Sequence, residues 1–487
     1  MRPAPSVRMM RQIGIRGPFA SVRSAMAAWD VAIVGGGILG TSVAYWLANR
    51  YEGRIAVLEA EGEVAEHASR RNTGVLHRPF YLDPRTRAVF ARSSQASYGM
   101  WKRYAAERGL PWSPVGTFEV ALAEAQVPRL EKYYEWGQEN GMAPEELAIL
   151  TPEEVRRSEP HVRCAGAIWS KTDTGVDYRA FTLSLRHDAE RAGAAFLMGR
   201  EVLRIRPKGD LLEIGVRRHL ALPRWLPLDP RGRIGVRESR EETILARYLI
   251  NCAGARSMDI AHLLGVGRRY TDLHFRGEYW TVRTEHHYLA SRNIYSVPRH
   301  PELPFLDPHW IVRVDGRREI GPNAVPVTGP TTYRGFFEDP ADVVRKFFEP
   351  PVANKVTLLT NPDFMTLATE EWLSSISKRA MARRVQQFLP DLRVSHLLAP
   401  GTAGVRASVI DRDGSFIKEA IELEGPHSFH VLNYNSPGAT GSPAYAAWLL
   451  GNLATKGFLD HLRARAAPPP GPWDFDTVRA AVASRAV

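Results

Sequence analysis

The sequence predicts an α/β protein joined to a second part of α+β character, and three observations carry that expectation. Residues 30–58 read as strand, glycine-rich turn, helix and strand. Segments at 248–255 and 401–441 bring apolar strands and small residues back to the same kind of unit much later in the chain. Between them, strand-like stretches at 279–284 and 310–314, with turn residues at 315–317 (DGR), have the pattern of a meander.

At 487 residues the chain is long enough for two or three domains, or for one large fold of interleaved segments. A hydrophobic share of 44% against 24% charged excludes a disordered or fibrous chain. The formal charge of +11 is unevenly spread. The stretch from Met1 to Trp29 holds five arginines (Arg2, Arg8, Arg11, Arg16, Arg23) and no acid, and Arg217 to Arg240 holds seven against Asp229 and Glu238. The rest is near balance, with no arginine-aromatic interleaving, so nucleic acid is not expected as a partner. Residues 1–28 are expected to lie outside the fold, either as a mitochondrial-type transit segment or as sequence upstream of a start at Met26. Cys164 and Cys252 lie in no metal-ligand spacing and are too few for a disulfide framework. No metal site is expected, and the compartment is expected to be reducing.

The elements follow in chain order. Residues 31–48 (VAIVGGGILGTSVAYWLA) carry no charge and reach the length at which a membrane span must be considered. Their glycines decide against it. Gly35, Gly37 and Gly40 have the G-x-G-x-x-G spacing of a strand that turns tightly into a helix, here expected over Ser42 to Asn49. The next strand, Arg54 to Leu58, ends in Glu59, whose separation from Gly40 is that of an acid that accepts from a ribose hydroxyl. Together these parts predict a dinucleotide site. Arg179 to Gly193 has amphipathic helical spacing, followed by a strand around Ala195 to Ile205; Tyr248 to Ala255 is a further strand, and Ser442 to Leu453 a final helix.

Eight stretches choose between dinucleotides: DVAIVGGGILG (30–40), NTGVLH (72–77), GVDYRAF (175–181), INCAGARS (250–257), FRGEYW (275–280), EIGPNAV (319–325), GVRASVIDRDG (404–414) and VLNYNSPGAT (431–440). In these the sequence resembles the FAD-dependent oxidoreductases of the D-amino-acid oxidase superfamily, and within it the branch of L-2-hydroxyglutarate dehydrogenases and oxidases. The resemblance spans about 28 to 455. It implies a discontinuous Rossmann-like FAD-binding domain (29–90, 151–270 and 396–460), a substrate domain whose antiparallel sheet roofs the flavin (91–150 and 271–395), and a tail at 461–487. It implies FAD contacts from Gly35, Gly37, Gly40, Glu59, Asn72, Thr73, Gly74, Val202, Ala253, Gly254, Gly404, Pro437, Gly438, Ala439 and Thr440. No cysteine lies in the early flavin loop, so FAD is expected to be non-covalent, with His67 and His77 as the alternative attachment points.

Oxidation of a 2-hydroxy acid needs a clamp for the carboxylate, a base for the hydroxyl proton and an orientation of the α-hydrogen toward flavin N5. A guanidinium meets a carboxylate with two parallel hydrogen bonds, and the resemblance implies Arg406, in GVRA, as the clamp, with Arg276, in FRGEY, as the second candidate. For Arg276 the alternative is a buried ion pair with Glu278. Histidine titrates near working pH, and the resemblance implies His77, below the flavin, and His309, above it, as the base candidates, with His67 expected to orient the cofactor. The stretch RPFYLDP (78–84) departs from the branch, so Arg78 and Pro79 are expected to alter the pocket wall. The expected reaction is FAD-dependent oxidation of an L-2-hydroxyglutarate-like acid, with quinone or oxygen as acceptor. The alternatives are an amine or amino-acid oxidase on the same fold, or a flavin-binding module without turnover. Residues 216–240, basic around Trp225, read either as a contact with an anionic membrane surface or as an extended hairpin. The expected location is cytoplasmic, peripheral on the inner face of a membrane if that segment binds one, and mitochondrial if the leader is a transit peptide.

Overall fold

The computed structural model describes residues 28–219, 239–299, 307–335, 344, 346, 348–467, 469 and 471–483. Its first sheet runs, in spatial order, Ala195–Leu197, Ile55–Leu58, Trp29–Val34, Ser239–Asn251, Leu211–His219 and Arg200–Lys208. The first four strands are parallel, and the last two form an antiparallel hairpin against the early half of Ser239–Asn251. The far end of that long strand pairs in parallel with Ser428–Leu432, which brings the C-terminal region back to the sheet. Val31 to Val34 and Ile55 to Leu58 are buried throughout, as strands covered on both faces must be.

Helix Ile38–Arg50 is buried from Ile38 to Asn49, and its side chains share one core with residues of helices Ala88–Arg108, Tyr178–Arg191 and Gly438–Thr455. The uncharged run 31–48 is therefore a strand, a turn and a helix inside protein. Among the described residues no helix is long and apolar enough to cross a membrane.

A second sheet has the order Leu397–Pro400, Trp280–Val282, Arg318–Gly321, His309–Val312, Asn293–Ser296, Thr117–Ala121, Gly166–Ser170 and Leu147–Leu150. Its pairs are antiparallel except that of Asn293–Ser296 with Thr117–Ala121. Phe118, Val120, Ile294, Trp310, Val312 and Ile320 pack on one face against Met381, Val385 and Phe388. By alternation, Thr117, Glu119, Asn293, Tyr295, His309, Ile311 and Glu319 point to the other face. That face positions the site.

Several expectations need correction. Gly166–Ser170 and Leu397–Pro400 belong to this second sheet, although the resemblance implies the nucleotide domain for 151–270 and 396–460. The apolar run at Gly166–Ser170 shows a buried strand but not which sheet takes it. Gly404–Ile410 pairs with Thr271–Gly277 in a third, three-stranded sheet, so the two parts share a sheet rather than meeting at a boundary. The strand expected over 195–205 breaks at a turn, where Gly199 has φ +67°, into Ala195–Leu197 and Arg200–Lys208. The helix expected to be the final one begins at Gly438, one turn before Ser442, and a further helix, Phe475–Ala483, follows it. The ends of the 216–240 segment continue the Leu211–His219 and Ser239–Asn251 hairpin, where Arg217 and Arg218 lie 3.5 Å from Glu201 and Glu242 respectively. Its centre, with Trp225, lies outside the described residues.

Candidate active site

The N-terminal turn is a cradle of close backbone approaches. Gly35 has φ +103°, and a Cβ there would meet the Cys252 carbonyl at 2.6 Å; a Cβ on Gly40 would come within 2.0 Å of the Gly35 carbonyl. Only glycine allows this packing of strand, helix and the 252–253 backbone. Helix Ile38–Arg50 starts at Gly37 with no side-chain cap and no acid in its first turn, leaving a helix N-terminus suited to an anion. Glu59 is buried, and its carboxylate accepts from the Gly36 and Glu61 amides at 2.7 and 2.8 Å. Burial raises its pKa above the ordinary carboxylate value. Ala253 and Gly254 follow the strand Ser239–Asn251, and the space beside Gly254 is open. Val202 lies at an irregularity in strand Arg200–Lys208.

Asn72, Thr73 and Gly74 lead into the short strand Val75–Leu76, with the Asn72 side chain accepting from the Gly74 amide at 2.8 Å. Gly404 packs on this loop so closely that a Cβ would meet the Arg71 carbonyl at 1.9 Å. Pro437 precedes the uncapped helix Gly438–Thr455, whose first turn holds Gly438, Ala439 and Thr440. The Thr440 hydroxyl accepts from the His77 amide at 3.2 Å and lies 2.8 Å from the Tyr178 hydroxyl. The 72–77 stretch and the start of helix Gly438–Thr455, both expected to contact the flavin, are thereby joined at His77.

His77 Nδ1 lies 3.2 Å from Asp173 Oδ2. Asp173 has no exposed surface and also accepts from the Arg78 amide (3.0 Å), Thr117 Oγ1 (2.9 Å) and Ser170 Oγ (2.7 Å). With three other donors directed at it, Asp173 acts as an acceptor, so Nδ1 is the nitrogen that carries the hydrogen toward it and Nε2 is left to face away as an acceptor. Tyr81 and Tyr295 meet the His77 ring edge-on at 5.9 and 5.6 Å, and Tyr295 stacks on His309 at 3.8 Å. The two histidines are thus part of one cluster, joined through Tyr295. Burial pushes the His309 pKa down to about 3, so this ring is neutral at working pH.

Arg406 stands opposite Phe275 in the shared sheet, with Tyr279 and Glu371 in electrostatic range. Burial draws its pKa down to about 10, which still leaves a cation at neutral pH. Arg276, the second clamp candidate, is fully buried and takes its expected alternative, pairing with Glu278 at 2.9 Å while donating to the carbonyls of Thr332 and Gly335. Arg78, expected with Pro79 to alter the pocket wall, is buried and held by protein groups. Its guanidinium grips Glu146 at 2.5 and 2.9 Å and Gln95 at 2.9 Å, lying over the Tyr98 ring. His67 bonds Tyr333 at 2.6 Å and Glu61 at 3.1 Å.

Sequence reasoning missed Asp173, Tyr295, Tyr81, Tyr279 and Arg313. Arg313 pairs with Glu319 at 2.5 Å and donates to the Asn72 carbonyl at 2.5 Å, tying the roof to the loop below it. Asp173 could have been found from its place just before the GVDYRAF stretch; the tyrosines carry no local signal.

A dinucleotide cradle roofed by an antiparallel sheet, with a His-Asp pair between them, defines a flavin-type oxidoreductase. The chain belongs to the DAO family of FAD dependent oxidoreductases, whose model matches residues 30–451. It is similar to the mitochondrial L-2-hydroxyglutarate dehydrogenase of Homo sapiens, 29% identical over 436 residues that cover 87% of this chain and 88% of the relative. The corresponding protein of Mus musculus is 31% identical over 417 residues, covering 84% and 85%. Among solved structures, the FAD-bound L-alpha-glycerophosphate oxidase from Mycoplasma pneumoniae superposes with a TM-score of 0.64 at 19% identity, covering 92% of this chain and all of that one. The protein is an FAD-dependent oxidoreductase, and the residues present fit the cofactor: the glycine cradle and uncapped helix N-terminus suit a pyrophosphate.

Proposed function

We propose that the protein oxidises a 2-hydroxy acid to the 2-oxo acid, with L-2-hydroxyglutarate as the reference substrate. The observation that carries this reading is the His77–Asp173 pair, which presents Nε2 as an oriented base. An alcohol needs such a base, because its proton must leave as the α-hydrogen does. When bound, non-covalent FAD supplies the hydride acceptor. Arg406 holds the substrate carboxylate and so fixes which face of the α-carbon is offered. His77 Nε2 takes the hydroxyl proton, and Asp173 stabilises the imidazolium that results. His309, neutral and stacked on Tyr295, orients the substrate and does not exchange the proton. Arg276 holds the loop around Thr332 in place. In the cradle, Gly35, Gly37 and Gly40 admit the pyrophosphate. Glu59 uses its remaining lone pairs for the ribose. Asn72 to Gly74, Val202, Ala253, Gly254, Gly404 and 437–440 line the cofactor.

Product identification tests the reading. Incubation with 2-hydroxy acids and an artificial acceptor is expected to give stoichiometric 2-oxo acid without ammonium. Turnover only of amino acids, with ammonium released, would replace this function by amine oxidation on the same fold.

A further inference from the structure

Among the described residues on the site face of the roof, Glu119 is a carboxyl that neither the reaction nor an ion pair uses. In the parallel pair of strands, Glu119 is the direct neighbour of Tyr295, whose ring stacks on His309 at 3.8 Å. Carboxyl, phenol and imidazole therefore stand side by side on three adjacent strands, about 4.8 Å apart, on the face that His77 reaches through Tyr295. Glu119 is 6% exposed, and among the described residues no donor or cation lies within hydrogen-bond distance of its carboxyl. The other acids of this face differ: Asp173 has four donors, and Glu319 is paired with Arg313. The groups that face Glu119 are Asp173, Arg129 of helix Val127–Glu139, and the phenols of Tyr81, Tyr133 and Tyr295. Burial pushes its pKa up to about 8. A buried carboxyl left without a donor is costly, and a partner brought by a ligand removes that cost.

We propose that Glu119 receives the end of the substrate that Arg406 does not hold, and that this end bears a hydrogen-bond donor (hydroxyl, carboxamide or ammonium) in place of a second carboxylate. The inference rests on the 2-hydroxy acid reading and sharpens its substrate class. A donor is accepted by Glu119 in either protonation state. A carboxylate is tolerated only while Glu119 keeps its proton to share, and above that pH it meets a like charge with Asp173 close by.

The test compares L-2-hydroxyglutarate with its 5-carboxamide, equal in length, on the holoenzyme at pH 9. The ratio of kcat/KM is expected to favour the amide by about tenfold, the effect of one hydrogen bond to a charged group. In Glu119→Gln, whose amide can donate to a carboxylate, the ratio should fall to about unity or reverse. A ratio taken within one variant is insensitive to partial unfolding. The dissociation constants of the two 2-oxo acids, read from tryptophan fluorescence, should show the same pattern without turnover. A wild-type preference for the dicarboxylate, or an unchanged ratio in Glu119→Gln, overturns the proposal. Absence of turnover with any 2-hydroxy acid would instead refute the functional reading, and the binding ratios would still decide the role of Glu119.

Discussion

Nδ1 of His77 donates to Oδ2 of Asp173 across 3.2 Å, inside a carboxylate site closed to solvent. Asp173→Asn keeps the shape but lets the amide nitrogen face the ring, which favours the tautomer with hydrogen on Nε2 and removes the acceptor. The expected result is a fall in kcat of about 10²- to 10⁴-fold, the usual share of general base catalysis. Binding of the 2-oxo acid product should change much less, and a titration of flavin absorbance measures it.

Arg406 is the proposed carboxylate ligand. Arg406→Lys keeps a cation but loses the planar fork, so kcat/KM is expected to fall by about 10- to 100-fold, as for a charged hydrogen bond worth about 1.5–3 kcal/mol. Steady-state kinetics over a substrate series checks this. Arg276→Lys should act on stability instead, because its partner Glu278 and the nearby carbonyls belong to the protein.

Acid sensitivity follows from the buried neutral histidines. His309 and His430 have pKa values drawn down by burial to about 3 and about 4, against 6.5 when unfolded. Between those values the unfolded chain binds more protons than the native one, so stability present above pH 6.5 is lost as pH falls toward 4. Denaturation midpoints at pH 7.5 and 4.5 are expected to differ less for His309→Asn than for the wild type.

Arg313 and Glu319 form the tie between roof and flavin loop. Arg313→Met leaves Glu319, 1% exposed, without its nearest cation. The expected loss is about 3–5 kcal/mol in urea denaturation, and Arg313→Met/Glu319→Leu should recover much of it.

At Gly40 even one methyl group would sit 2.0 Å from the Gly35 carbonyl. Gly40→Ala is expected to yield protein purified with little flavin, seen as a low ratio of absorbance at 450 to 280 nm.

The nucleotide unit was legible because its constraints are local. Glycines at fixed spacing, a following apolar helix and an acid after the second strand all lie between Asp30 and Glu59. His77 and Arg406 were visible only through resemblance, since nothing near them in sequence shows what they face. Asp173, Tyr295 and Glu119 depend on strand register: Glu119 faces the site because Thr117–Ala121 pairs with Asn293–Ser296, a relation between segments far apart in the chain. The same long-range pairing put Gly166–Ser170 in the roof, where an apolar pentapeptide alone could not place it. Arg276 shows the converse difficulty. Its sequence suits a clamp or an ion pair, and the nearby Glu278 takes it.

The central claim is tested most directly by mixing the purified holoenzyme with L-2-hydroxy acids in the absence of oxygen and following absorbance near 450 nm. The account predicts bleaching in a single exponential phase that saturates with substrate, slowed at least about 100-fold in His77→Asn. A flavin that stays oxidised with every hydroxy acid, or one that His77→Asn reduces as fast as the wild type, would contradict it.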